Sequence, residues 1–211
     1  MKLESVRREY KYATLSEQNI PDNPLHLFKQ WMDNAVSAKV NEPTAMSVST
    51  IGNDGFPQSR IVLLKNLGDD GFIFFTNYES EKGKAVLKNS AVCLLIFWPE
   101  LERQVRITGL AEKTSNKISD SYFQSRPVNS QAAAIISDQS QKISSREELE
   151  IKFDKLIKNV PAENFIRPEN WGGFAVKPIK IEFWQGRENR LHDRILYEKN
   201  KRNWQISRLA P

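Results

Sequence analysis

The 211 residues suffice for one domain with a real core, and with 39% hydrophobic and 27% charged residues they exclude a disordered chain. No apolar run reaches the ~20 residues of a membrane helix, and MKLESVRREYKY has no apolar stretch after its charges, so neither a membrane partner nor a secretory signal is expected. The net charge of +5 is scattered, densest in RREYK and in KNKR at 199–202, and leaves open both a nucleic-acid surface and pockets for small phosphates.

Asn23 before Pro24 pairs an N-cap residue with proline at the first helical position. Leu25, Phe28, Trp31, Met32 and Ala35 follow at helical spacing, which predicts a helix over 24–39 with His26 on its surface. Strand signals then take over: 45–51, a tight turn at Asn53-Asp54-Gly55, and a return strand over 57–65. Gly68-Asp69-Asp70-Gly71 turns into a strand over 72–76. A short helix around 80–88 precedes a strand over 91–98, and Pro99-Glu100 turns into a long strand over about 101–112. The single cysteine, Cys93, lies in AVCLLIFW, the setting of a buried strand thiol rather than a nucleophile. One cysteine forms no intrachain disulfide, and a cytoplasmic location fits. The stretch from about 115 to 160 reads as helical, with Ser144 and Glu147 at capping-box spacing. Strands return at about 174–185, 195–198 and 204–206. Many short strands joined by tight turns predict a mostly antiparallel sheet or barrel. No glycine-rich GxGxxG or P-loop occurs, which argues against a Rossmann dinucleotide site.

Three polar clusters stand out. In IEFWQGRENRLHDR, residues 181–194, an extended backbone puts Arg190, His192 and Arg194 on one face; a salt-bridged turn using Glu188 and Asp193 explains the same pattern. In RIVLLK, residues 60–65, Arg60 and Lys65 have opposite parity, so one straight strand sends them to opposite faces. Tyr122 and Arg126 are four apart on a predicted helix, and with Ser130 beyond Pro127 they offer donors suited to a phosphate or simply a polar helix surface. Gln104 shares a strand face with Arg106, and Gln139-Ser140 lies in a polar turn. No CxxC, HExxH or GxSxG occurs, so no metal site and no serine triad is expected.

Taken together, and in order, RREY, RIVLLK, LERQ, SRP, DQS, WGGF, the 181–194 segment and the terminal RLAP resemble the pyridoxamine/pyridoxine 5′-phosphate oxidases, over Arg7 to Pro211. The resemblance implies a mainly β (α+β) fold, an antiparallel FMN-binding split barrel with flanking helices. Residues 21–211 would form this single domain, after an N-terminal segment 1–20 that folds over the substrate as a lid. It implies a homodimer with FMN at the interface. It also implies oxidation of pyridoxine or pyridoxamine 5′-phosphate at C4′, hydride transfer to the flavin, and reduction of O2 to H2O2. By position, the flavin would be held by Arg60, Ile61, Val62, Leu63, Leu64, Lys65, Phe75, Thr76, Lys82, Gln104, Gln139, Ser140, Trp184 and Arg194. Substrate would be held by Arg7, Arg8, Glu9, Tyr10, Lys65, Tyr122, Arg126, Ser130, Arg190, Leu191 and His192, with Arg190 and His192 as the catalytic pair at the pyridine edge.

One position departs from the family pattern: Ser80-Glu81-Lys82 stands where Ser-Arg-Lys is usual. Glutamate there would repel a flavin phosphate, and the expectation is that FMN still binds, more weakly, with Glu81 turned outward. Three other readings stay open: a split-barrel flavoprotein with another substrate, a protein that binds and delivers pyridoxal phosphate without catalysis, and a nucleic-acid module. The last explains the charge but none of the ordered motifs.

Overall fold

The computed structural model describes residues 9–68 and 71–211, so Arg7, Arg8 and the Asp69-Asp70 turn lie outside the described residues. Asn23 caps helix α1 (Pro24–Ser37) by accepting the Leu25 N–H at 2.9 Å, and Pro24 brings a pre-set φ to the first turn. The apolar stripe of α1 buries Leu27, Phe28, Trp31 and Ala35 against a sheet. Phe28 meets Phe72 edge-on with ring centres 4.9 Å apart, and Trp31 meets Phe183 at 5.1 Å. Truncating a side chain such as Phe28 to alanine costs about 3–5 kcal/mol.

The sheet contains β1 (Ala45–Ile51), β2 (Pro57–Leu63), β3 (Asn66–Gly68), β4 (Gly71–Asn77), β5 (Ala91–Trp98), β6 (Arg103–Lys113), β7 (Trp171–Gln185), β8 (Asp193–Asn200) and β9 (Asn203–Arg208). The order is β2-β1-β5-β6-β7-β4-β3, with β8 also on β7 and β9 on β8. Every pairing is antiparallel, as expected from the run of short strands. Alternation sets the two faces. Met46, Val48, Leu94, Ile96, Val105 and Ile107 enter the core, whereas Ser47, Ser49, Cys93 and Arg106 point the other way. Cys93 is therefore half-buried on the outer face, not in the core, and its partial burial pushes the thiol pKa up.

Strand β7 is the branch point. One edge pairs with β6 along nearly its whole length. The other edge pairs with β4 over residues 171–176 and with β8 over 180–185. Pro178, which has no N–H to donate, sits in the gap between these partners. The register against β6 slips there, Gly109 facing Pro178 and Thr108 facing Lys180, so Ile179 is an extra residue. The bulge reverses the parity of the strand. Phe174 and Val176 are core residues before it, and Ile181 and Phe183 after it. Trp171 and Trp184 consequently lie on the same outer face at opposite ends of one strand.

Ser80 caps α2 (Glu81–Lys88) by accepting the Gly83 N–H. The helical stretch after β6 is three helices, α3 (Asn116–Ser125), α4 (Val128–Ile136) and α5 (Arg146–Asn159), with the first break at Arg126-Pro127, where proline disfavours helical backbone in the residue before it. A second core cluster, Phe123, Ala132, Phe165 and Trp171, packs under them. The capping pair is one residue later than expected: Ser145 accepts the Glu148 N–H, and Glu148 reaches back to Ser144. The expected strand over 57–65 stops at Leu63: the Leu64 N–H still meets the Thr44 carbonyl opposite it, but the Lys65 N–H leaves that ladder for the Ile73 carbonyl of β4.

Candidate active site

Where β2 ends, Lys65 donates its backbone N–H to Ile73 at 2.8 Å and stands at the mouth of a cavity of about 460 Å³. Ile61, Val62 and Leu63 form one wall, and Phe75, Tyr122 and Trp171 another. The three rings are stacked: Phe75 lies 3.9 Å from Tyr122 at 19° and 5.6 Å from Trp171 at 14°. Arg126, the C-cap of α3, lays its guanidinium 4.7 Å from the Trp171 ring centre. Its Nη1 is buried without a hydrogen-bond partner. Burial pulls the Arg126 pKa down and pushes the Tyr122 pKa up, each partly offset by the other. Leaving a charged donor unsatisfied costs at least ~1–3 kcal/mol, a cost that an acceptor entering the cavity would relieve. Ser130, placed by its N–H bond to Pro127, lines the same space.

A second cavity of about 510 Å³ adjoins the first and shares Lys82 with it. Its other lining residues are Gln58, Ser59, Arg60, Glu81 and Ser140. Arg60 donates to Thr50 Oγ1 at 2.8 Å and to Gln58 Oε1 at 3.1 Å, which fixes its fork. Lys82 Nζ donates to Gln139 Oε1 at 2.9 Å and to Thr76 Oγ1 at 3.2 Å. Burial lowers the pKa of both cations, and Arg60 lowers that of Lys82 further. Ser140 holds a left-handed φ of 71°, which brings the polar turn to the cavity. Two expectations are corrected here. Glu81 is not directed away: it is among the residues lining this cavity, and its charge reaches Arg60 and Lys82. Leu64 faces the core, as alternation from Val62, the partner of core residue Met46, dictates.

The remaining candidates lie at the far end of β7. Gln104, Trp184 and Arg194 are in register across β6, β7 and β8. Glu182, buried beside them, bonds Arg106 and also Arg194 at 2.8 Å, and Arg194 Nη1 donates to the Ala210 carbonyl at 2.7 Å. The 186–192 segment is not extended. Asn189 and Arg190 take left-handed φ of 56° and 61°, and β8 starts only at Asp193. The one-face alignment of Arg190, His192 and Arg194 therefore fails as a parity argument. Asp193 pairs instead with Arg187 at 3.0 Å and Arg208 at 2.7 Å, and Glu188 with Lys11 at 3.5 Å.

His192 is nevertheless firmly placed. Its Nδ1 accepts the Arg187 N–H at 3.1 Å, so the neutral ring carries its proton on Nε2. Its ring lies 4.7 Å from that of Trp184. Desolvation, then the neighbouring Arg190 charge, lower its pKa, against an opposing pull from Asp193. Tyr10 meets Trp184 and His192 edge-on at 5.6 and 5.7 Å. The segment after it is pinned: the Tyr12 N–H bonds Glu102 at 2.8 Å and the Leu15 N–H bonds Asp193 at 3.0 Å. Leu191 is exposed, and among the described residues Glu9 pairs with the exposed Lys11 at 3.2 Å.

The candidates thus form two groups. Residues of β2, β4, α2, α3 and the 139–140 turn surround the adjoining cavities; Tyr10, Gln104, Trp184, Arg190, His192 and Arg194 gather elsewhere. Trp171 belongs to the first group and Trp184 to the second, and at ~3.3 Å per residue they are roughly 40 Å apart along β7. Trp171 itself escaped the reading of the sequence. The WGGF segment carries its signal: a Cβ on Gly173 would stand 2.7 Å from Thr114 Oγ1 and 2.9 Å from Phe75, so only glycine lets the ring stack close. Among the described residues there is no group of three or more His, Cys, Asp or Glu that could hold a metal, and no helix long and apolar enough to cross a membrane.

Comparison with known proteins shows the family and the fold. Residues 32–159 match the family model described as Pyridoxamine 5′-phosphate oxidase, and residues 171–211 that of the Pyridoxine 5′-phosphate oxidase C-terminal dimerisation region. A Flavobacterium johnsoniae protein named pyridoxine/pyridoxamine 5′-phosphate oxidase is 52% identical over 99% of this chain and 98% of its own. A Hahella chejuensis protein of the same name is 49% identical over 100% of both. The crystal structure of PhzG from Burkholderia lata 383, in complex with tetrahydrophenazine-1-carboxylic acid, superposes with a TM-score of 0.88 at 30% identity, covering 94% of this chain and 98% of that one.

Proposed function

The chain belongs to the pyridoxamine 5′-phosphate oxidase family, and from that membership we propose that it converts pyridoxine 5′-phosphate and pyridoxamine 5′-phosphate to pyridoxal 5′-phosphate, with FMN as cofactor, O2 as acceptor and H2O2 as product. One observation carries the residue-level reading: two adjoining cavities, each provided with cations, meet at Lys82. A flavin and a phosphorylated pyridine each bring a flat ring and a phosphate, and both must be held together for electrons to pass.

The residues present fit both groups. Arg60, Lys82 and Ser140 supply charge and hydrogen bonds for a flavin phosphate, and Ile61 to Leu63 supply an apolar wall for a ring. Lys65, Tyr122, Arg126 and Ser130 make the substrate phosphate site, where the unpartnered Arg126 Nη1 gains its acceptor. FMN, when bound, supplies the two-electron acceptor that no side chain offers. The protein contributes position: the phosphate anchors fix the substrate so that C4′ is presented in one orientation.

The second group completes the site from a second copy of the chain. A homodimer accounts for two half-sites that one chain keeps at opposite ends of β7. Its contact face is the outer side of the sheet, where Ile61 is 67% and Phe97 49% exposed, apolar surface that a partner would cover. In that arrangement Gln104, Trp184 and Arg194 approach the flavin, and Arg190 and His192 border the pyridine. His192 holds its proton on Nε2 and so offers a donor toward the C4′ substituent. Tyr10 closes the site over His192. The reading places the enzyme in the cytoplasm, where a lone reduced thiol such as Cys93 is at home.

The test is purified protein with FMN and either substrate, with aldehyde formation and oxygen uptake followed together. Matched aldehyde gain and oxygen loss are expected. Tight flavin binding with neither signal, for alcohol and amine alike, contradicts the oxidase and leaves a binding protein.

A further inference from the structure

The flavin-phosphate cavity contains an anion of its own. Glu81 lines it with Arg60, Lys82 and Ser140, yet closes an ion pair with neither cation. Its charge is felt by both, acting on each against the lowering due to burial. It cannot swing away with its helix. The Ser80 cap fixes the start of α2, and Gly83 abuts the Tyr78 and Asn77 carbonyls so closely that a Cβ there would strike both. A phosphate monoester carries about −1.5 to −2 charges at neutral pH. It would therefore meet two cations and one carboxylate carried on a fixed helix start, with the solvent of an open cavity only partly screening the repulsion.

Resting on the placement of FMN proposed above, we infer that Glu81 sets the affinity for the flavin phosphate: it makes this chain a weak, salt-sensitive holder of FMN, so that the fraction of enzyme carrying cofactor follows the supply of free FMN. The carboxylate acts on the phosphate alone. The isoalloxazine and ribityl portions, which meet the apolar wall and the polar turn, are indifferent to it.

The measurement is FMN affinity of the full-length protein stripped of flavin, read by quenching of flavin fluorescence, for wild type, Glu81→Gln, Glu81→Arg and Lys82→Met, with riboflavin as the phosphate-free probe. At low salt Glu81→Gln is expected to bind FMN about fivefold tighter and Glu81→Arg tighter still. The gain shrinks to within about twofold at 1 M salt, where the Debye length is only ~3 Å. Riboflavin affinity stays within about twofold throughout. Lys82→Met weakens FMN. If Lys82→Met weakens FMN while both Glu81 variants bind as wild type does, the inference is overturned and the flavin site stands. If neither position changes FMN affinity, the phosphate lies elsewhere and both readings fall. A gain for riboflavin equal to that for FMN overturns the inference as well, because the effect would then come from altered packing of α2.

Discussion

The guanidinium carbon of Arg126 lies 4.7 Å from the centre of the Trp171 ring, which is itself stacked with Phe75 and Tyr122. A cation held flat on a ring keeps its outer N–H groups directed at whatever enters the cavity. Trp171→Phe retains a ring and is expected to keep KM for pyridoxine 5′-phosphate within about threefold. Trp171→Ala is expected to raise KM about tenfold with a smaller effect on kcat, and to cost about 3–5 kcal/mol of stability through the cavity it leaves. Steady-state kinetics and a thermal melt on both variants check this. Equal KM in the two would mean that the ring does not position Arg126.

Glu182 is buried between Arg106 and Arg194, and the latter also reaches the Ala210 carbonyl. Replacing it with alanine takes the carboxylate from both guanidiniums and leaves Arg194 its bond to Ala210. Because both are partly exposed, water screens the loss, and about 2 kcal/mol is expected rather than the larger cost of a fully buried pair. For a chain of this size that lowers Tm by about 4–8 °C. FMN affinity should fall as well, since Arg194 loses the carboxylate that aims it. An unchanged melt by calorimetry would show that Glu182 holds neither.

A Cβ at Gly186 would come within 2.7 Å of Tyr10 Cγ and 3.0 Å of Glu102 Cβ. Glu102 is pinned by the Tyr12 N–H, so Tyr10 must give way and leave His192. Gly186→Ala is expected to raise substrate KM about fivefold or more while FMN titrates as in wild type. KM unchanged in this variant would remove Tyr10 from the lid.

Burial disfavours the His192 imidazolium, and the neighbouring Arg190 charge acts in the same direction, against a smaller opposing pull from Asp193. His192 is therefore neutral through the neutral range, and turnover is expected to fall only as pH drops through its lowered pKa. Arg190→Ala removes one of the two lowering influences, so the His192 titration followed by NMR, and the acid limb of kcat with it, should move to higher pH. A titration curve that stays in place would show that Arg190 points elsewhere in solution.

Strands with clean alternation were legible from the amino-acid order: 45–51 and 91–98 begin and end in the structure where the pattern places them. Boundaries set by tertiary contacts were not. The strand after Pro57 ends where the Lys65 N–H leaves the β1 ladder for the Ile73 carbonyl, and no local signal marks that. Adjacent serines at 144 and 145 made the cap ambiguous by one residue. The site was legible as a set of residues but not as an arrangement. The bulge at Ile179 and the two left-handed residues in the 186–192 turn decide which side chains share a face, and both depend on partners distant in the chain. Trp171 was missed because its role lies in contacts with Phe75, Tyr122 and Arg126 rather than in its neighbours in sequence.

That one site is assembled from two chains is tested most directly by mixing two inactive variants, Arg126→Ala, which lacks the phosphate half, and His192→Ala, which lacks the other. After subunit exchange, random pairing makes half of the dimers mixed. In each mixed dimer one site collects both defects and the other collects none, so activity is expected to return to about a quarter of the wild-type value. A mixture as inactive as its parents, with exchange verified by mass, would contradict the shared site and require both groups of residues to act within one chain.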